Sequence, residues 1–146
     1  MATLSRFPWL SKAAKRSPKK LTSARARGQT AELKALAHLK AHGCRLIISN
    51  YVTKAGEIDL IVDDSGVLVF VEVRFRRETA RGTGAETVTA GKIRKIIRTA
   101  RHFLVTHKHY QGMPCRFDVI SMSAASQNSA TNYSIDWIKR AFTLDA

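Results

Sequence analysis

The chemistry of this chain concentrates in two short runs of residues. Positions 57–62 read Glu-Ile-Asp-Leu-Ile-Val, and positions 67–76 read Val-Leu-Val-Phe-Val-Glu-Val-Arg-Phe-Arg. Both have the composition of strands, and Asp63-Asp64-Ser65-Gly66 between them is turn-forming. The simplest hairpin sets Val62 opposite Val67, Leu60 opposite Val69 and Ile58 opposite Val71. Side chains alternate across a strand. One face then gathers Ile58, Leu60, Val62, Val67, Val69, Val71 and Val73, and it needs a helix to cover it. The other face gathers Glu57, Asp59, Ile61, Leu68, Phe70, Glu72, Arg74 and Arg76, with Asp59 diagonal to Glu72 and within side-chain reach. Carboxylates this close repel unless something compensates them. Arg74 and Arg76 would do so as an ion-paired, solvated face. A hard divalent cation, which prefers carboxylate oxygens, would do so as a metal centre. The hairpin alone leaves both open.

A third acid points to the metal. Residues 29–42 have helical spacing, with Leu33, Leu36, Ala37 and Leu39 on one apolar arc and Gly43 as the stop. Glu32 projects into that arc, where an unpaired carboxylate is costly; its other reading is an acid snorkelling at a helix start. The rest of the chain supplies the frame: a strand over 45–52, a mobile loop over 78–86, an amphipathic helix over 89–109 with Ile93, Ile96, Ile97, Ala100 and Leu104 as its stripe, and a strand over 116–122. A polar loop over 124–132 precedes a last element, 134–142, of open type.

The 146 residues suffice for one domain, and 25 Lys and Arg against 11 Asp and Glu give a formal net charge of +14. Such an excess favours an anionic partner. Residues 1–27 hold eight of these basic groups and no acid, which leaves the body, 28–146, at +6. A head of that composition is expected to be disordered, as a phosphate-grasping arm or an organelle transit peptide. No secretory signal and no membrane span is expected. Cys44 and Cys115 have no metal-ligand spacing and read as reduced, semi-buried residues. His38 and His42, four apart on the first helix, lack the intervening glutamate of the metalloprotease pattern and read as structural.

Gly28-Gln-Thr-Ala-Glu32, Gly56-Glu-Ile-Asp-Leu-Ile61, Val69-Phe-Val-Glu-Val-Arg74, Lys92 and Arg116-Phe-Asp-Val-Ile120, in that order, resemble the YraN family (uncharacterised protein family 0102). That family is similar to the archaeal Holliday-junction resolvases and the wider restriction-endonuclease-like superfamily. The resemblance implies an α/β fold in which helices flank a central mixed sheet, with an αβββαβ core. It implies an acidic triad of Glu32, Asp59 and Glu72 that holds Mg²⁺ or Mn²⁺, with the Val73 carbonyl as a further ligand, and one lysine two residues after Glu72. Here Arg74 stands at the lysine's place. Arginine stays protonated and cannot act as a base, though it can steady a phosphate.

The expectation is therefore a metal-dependent endonuclease of DNA, branched or processed DNA included, in which Glu32, Asp59, Glu72 and Arg74 carry the catalysis. Arg76, Arg77, Arg81, Lys92, Lys95 and Arg98 would track the phosphate backbone, and Lys92 could supply the missing ammonium. The alternatives are a non-catalytic nucleic-acid-binding module of the same fold, which Arg74 favours, and a scaffold that recruits an acidic partner through residues 1–27. A cytoplasmic location and a homodimer follow from the resemblance alone.

Overall fold

The computed structural model describes residues 23–76, 88–124 and 133–145. Helix α1 (Ser23–Ala41) is followed by strands β1 (Arg45–Thr53), β2 (Gly56–Asp64) and β3 (Val67–Arg76), helix α2 (Ala90–Thr106), strand β4 (Cys115–Ala124) and strand β5 (Tyr133–Phe142). The αβββαβ order is the expected one, and the open C-terminal element is a strand. The five strands lie in the order β1-β2-β3-β4-β5, antiparallel except for β3 and β4, which run parallel. Helix α2 makes that parallel connection. The loop over 78–86, with Arg77 and Arg81, lies outside the described residues, as do residues 1–22 and most of the loop before β5.

Helix α1 starts at Ser23, so residues 23–27 belong to the helix rather than to the basic head. Its end is a Schellman turn: the Cys44 amide donates to the Leu39 carbonyl at 3.0 Å and the Gly43 amide to Lys40 at 3.0 Å. Gly43 takes φ 87°, which glycine adopts without strain. The buried stripe of α1 differs from the expected arc. Ala31, Ala35 and Leu39 are buried, whereas Leu33 is 69% exposed. Small alanines let the helix axis approach the sheet closely, and that closeness outweighs the area a leucine would bury on the neighbouring face.

The hairpin register also differs. Asp64 pairs with Val67, Val62 with Val69 and Leu60 with Val71, a shift of two residues from the simplest alignment. Ser65 (φ 51°) and Gly66 (φ 91°) form a two-residue turn of the type whose twist matches a hairpin, so the strands run on through both aspartates. A shift of two preserves the face of every side chain, which keeps Asp59 and Glu72 together.

Central strand β3 is buried on both sides. Leu68, Val69, Phe70 and Val71 are all within 1% of full burial. Toward α1, Leu60, Val62, Val69, Val71, Ile120 and Met122 pack on Ala31, Ala35 and Leu39. Toward α2, Ile61, Leu68, Phe70 and Phe117 pack on Ile96, Ile97, Ala100 and Phe103. Ile58 joins this second cluster instead of the first, where simple alternation puts it. Strand β2 therefore changes its facing between Ile58 and Leu60, at Asp59.

Candidate metal centre

The turnover at Asp59 shapes the site. The β2–β3 ladder reaches Leu60 opposite Val71. One step beyond, the Val73 amide donates to Asp59 Oδ2 at 2.8 Å. A carboxylate stands where a backbone carbonyl would continue the sheet, and the strands part around it. On β1, the position facing Asp59 is Asn50, between the pairs Ser49–Leu60 and Tyr51–Ile58. Asn50 takes φ 52°, the left-handed region that asparagine tolerates better than most residues. Three anomalies thus meet at one level of the sheet.

Glu72 lies beside Asp59 and is 7% exposed. The two carboxyls interact electrostatically, and Lys92, on the first turn of α2, brings Nζ to 3.5 Å from Glu72 Oε1. The other oxygen, Oε2, is buried without a hydrogen-bond partner among the described residues. Burial first, and then the Asp59 charge, push the Glu72 carboxyl up to about 7, with Lys92 opposing. Burial also raises Asp59, against the Val73 amide and Lys92. Glu72 is the member that keeps a proton, because Asp59 has the amide donor that favours its ionised form.

Glu32 stands on α1 at the edge of this pair. Its carboxyl is raised by partial burial and by the Asp59 charge, while the Asn50 amide beside it acts in the opposite sense. Among the described residues, no group of three or more Asp, Glu, His or Cys side chains is gathered closely enough to hold an ion. The structure thus brings Asp59 and Glu72 together and sets Glu32 next to them. Glu57 is exposed. Arg74, half-buried, follows Glu72 along β3, and Arg76 lies two residues further; Lys95 and Arg98 are exposed on α2. His38 and His42 pack edge-on against Trp137, as structural histidines do. Both cysteines are free thiols, Cys44 buried and Cys115 partly so.

Sequence reasoning missed Asn50 and the packing role of Gly56. The only signal for Asn50 was an asparagine, a residue depleted in strands, in the middle of one. Gly56 takes φ 153°, and a Cβ there would come within 3.3 Å of Lys95 Cβ and Thr99 Oγ1. That bare Cα lets the start of β2 lie against α2 beside the acidic pair. Thr89 caps α2 by accepting from the Lys92 amide at 3.2 Å, which fixes the turn that carries Lys92.

The profile of Uncharacterised protein family UPF0102 matches residues 31–122, a span that contains Glu32, Asn50, Asp59, Glu72, Arg74 and Lys92. The chain belongs to this family. A UPF0102 protein of Saccharophagus degradans is 43% identical over 118 residues, 81% of this chain and 93% of that protein. One from Stutzerimonas stutzeri is 40% identical over 122 residues, 84% of this chain and 98% of its own length. A UPF0102 protein of Acinetobacter baumannii is 41% identical over 126 residues. UPF0102 is the YraN family that the motifs resemble, so the kinship drawn from a handful of residues holds along the body of the chain. Among the described residues, no helix is long and apolar enough to cross a membrane.

Proposed function

We propose that this UPF0102 protein is a metal-dependent endonuclease acting on DNA phosphodiesters, with Asp59 and Glu72 as the seat of Mg²⁺ or Mn²⁺. The observation that carries this reading is Glu72 Oε2, a buried carboxylate oxygen with no hydrogen-bond partner among the described residues, beside a second carboxylate. A purely structural ion pair would satisfy that oxygen, because buried polar atoms without partners are costly and rare. A donor set of carboxylate oxygens fits a hard divalent ion. When bound, such an ion supplies charge to a phosphate and lowers the pKa of water.

The residues divide the remaining work. The Val73 amide holds Asp59 in one orientation. Glu72 would hold the ion in its ionised form, its proton going to solvent. Glu32, with the Asn50 amide beside it, orients a water at the edge of the pair. Lys92 places an ammonium against Glu72 and takes over the cationic role left by the lysine that Arg74 replaces. Arg74 steadies charge on the phosphate, which its fixed protonation permits. Lys95, Arg76 and Arg98, with Arg77 and Arg81, neutralise neighbouring phosphates.

A second reading, a nucleic-acid-binding module without cleavage, is favoured by Arg74, which cannot accept a proton. One experiment separates them. The protein is incubated with linear, flap and four-way-junction DNA in Mg²⁺, in Mn²⁺ and in chelator, beside Asp59→Asn and Glu72→Gln. Nicking that needs metal and is lost in both variants is the outcome expected of the enzyme. Salt-sensitive binding without nicking in any metal would replace it with the module.

A further inference from the structure

A second cleft opens next to the carboxylate pair. It has a volume of about 300 Å³ and is lined by Val52, Thr53, Gly56, Glu57, Lys92 and Lys95. One wall is the turn between β1 and β2. The Thr53 hydroxyl donates to the Gly56 carbonyl at 3.3 Å and accepts from the Ala55 amide at 3.1 Å, so the turn is tied to itself. The other wall is the first two turns of α2, where Lys92 and Lys95, three apart, share a side of the helix. Gly56 sets the spacing between the walls, because any side chain there would press on Lys95 and Thr99.

Lys92 belongs to both places. Its Nζ lies 3.5 Å from Glu72, and the same side chain lines the cleft. An anion seated at the metal centre therefore continues past Lys92 toward Lys95. Two ammonium groups face one exposed carboxylate, Glu57, which leaves the cleft net cationic. We infer that this cleft is a phosphate subsite, which takes a backbone phosphate of the strand next to the phosphate held at Asp59 and Glu72. The inference rests on the nuclease reading, and it names which side of the site the strand runs along: over the β1–β2 turn and the start of α2.

The test is binding of a fluorescent DNA duplex to the full chain in Ca²⁺, followed by anisotropy across a salt series. Lys95→Gln should weaken binding about fivefold near physiological salt and reduce the salt slope by about one, as loss of a single phosphate contact does. Lys95→Arg should restore most of the affinity. Arg101→Gln, on the same helix but outside the cleft, should change neither quantity. A duplex carrying one uncharged methylphosphonate should lose affinity for the wild type at a particular position, and Lys95→Gln should lose nothing more there. Equal losses for Lys95→Gln and Arg101→Gln, or additive losses with the methylphosphonate at every position, would overturn the subsite. Mn²⁺ calorimetry on the same proteins separates the two levels of the proposal. Unchanged Mn²⁺ heat with unchanged DNA affinity in Lys95→Gln removes the cleft alone, whereas absent Mn²⁺ heat in the wild type removes the metal centre on which it rests.

Discussion

A carboxyl group held half-protonated near neutrality is the feature from which the rest of the account is built. Glu72 is raised to about 7 by burial and by Asp59. An acid raised in the folded state binds its proton more tightly there than when unfolded. Its contribution is complete below the unfolded value of 4.5 and disappears as pH climbs through about 7. The cost at alkaline pH is on the order of 3 kcal/mol, shared between the two coupled acids. Glu72→Gln should therefore raise the melting temperature by several degrees at about pH 8 and change little at about pH 4; scanning calorimetry at the two pH values checks it. Lys92 opposes protonation of Glu72, so Lys92→Met should move the pH midpoint for Mn²⁺ uptake upward. A midpoint unchanged in that variant would mean that the ammonium does not act on Glu72. At this scale the sequence was informative about which acids meet, because types and alternation survive a register shift of two. It could not show the proton, which depends on how completely α2 buries the pair.

The elements explain why the acids meet where they do. Strand β2 changes facing at Asp59, opposite an asparagine at φ 52°, and parts from β3 as Asp59 takes the Val73 amide. Alternation rules predict neither event, since both replace a backbone partner with a side chain. The α1 face was misread for a related reason. Two residues with little side-chain area, Ala31 and Ala35, win the buried position because closeness of approach, not hydrophobicity, decides it. Other elements were legible from chemistry alone, such as Gly43 at the end of α1 and Ser65-Gly66 at the hairpin. Farther from the site, Asp118 on β4 is fully buried and accepts from Arg116, the Trp137 indole at 2.9 Å and the Arg140 amide at 3.1 Å. Arg116 also reaches Asp64 at the hairpin turn, at 2.8 Å. This network pins β5 to the sheet. Asp118→Ala should cost about 3–5 kcal/mol, because it leaves the Arg116 charge and the indole without their buried acceptor; urea denaturation reads it. A loss below about 1 kcal/mol would show that β5 is held by apolar packing alone.

The whole chain is strongly basic, and its candidate site is a small cluster of acids. The chain carries +14 in all, with eight of its basic groups in residues 1–27; that excess attracts a polyanion, while Asp59, Glu72, Glu32 and Glu57 repel it at the site. On the proposed reading, a divalent ion would turn that local repulsion into attraction and favour DNA binding once the seat is filled. DNA affinity should rise severalfold when Ca²⁺ replaces chelator at constant ionic strength, and it should not rise in Asp59→Asn. Removal of residues 1–22, which hold six basic groups, should lower affinity and flatten its salt dependence, while leaving α1 whole. Equal affinity at every salt concentration would exclude that segment from the interface.

The most direct test of the metal centre is calorimetric titration of the full chain with Mn²⁺, in buffers of different ionisation enthalpy. The wild type should bind and release close to one proton per ion at about pH 6, because Glu72 must ionise to bind, with release falling through about pH 7 and nearly gone by about pH 8. Asp59→Asn and Glu72→Gln should each abolish the heat. Binding that persists in both variants, or that releases no proton at any pH, would contradict the account.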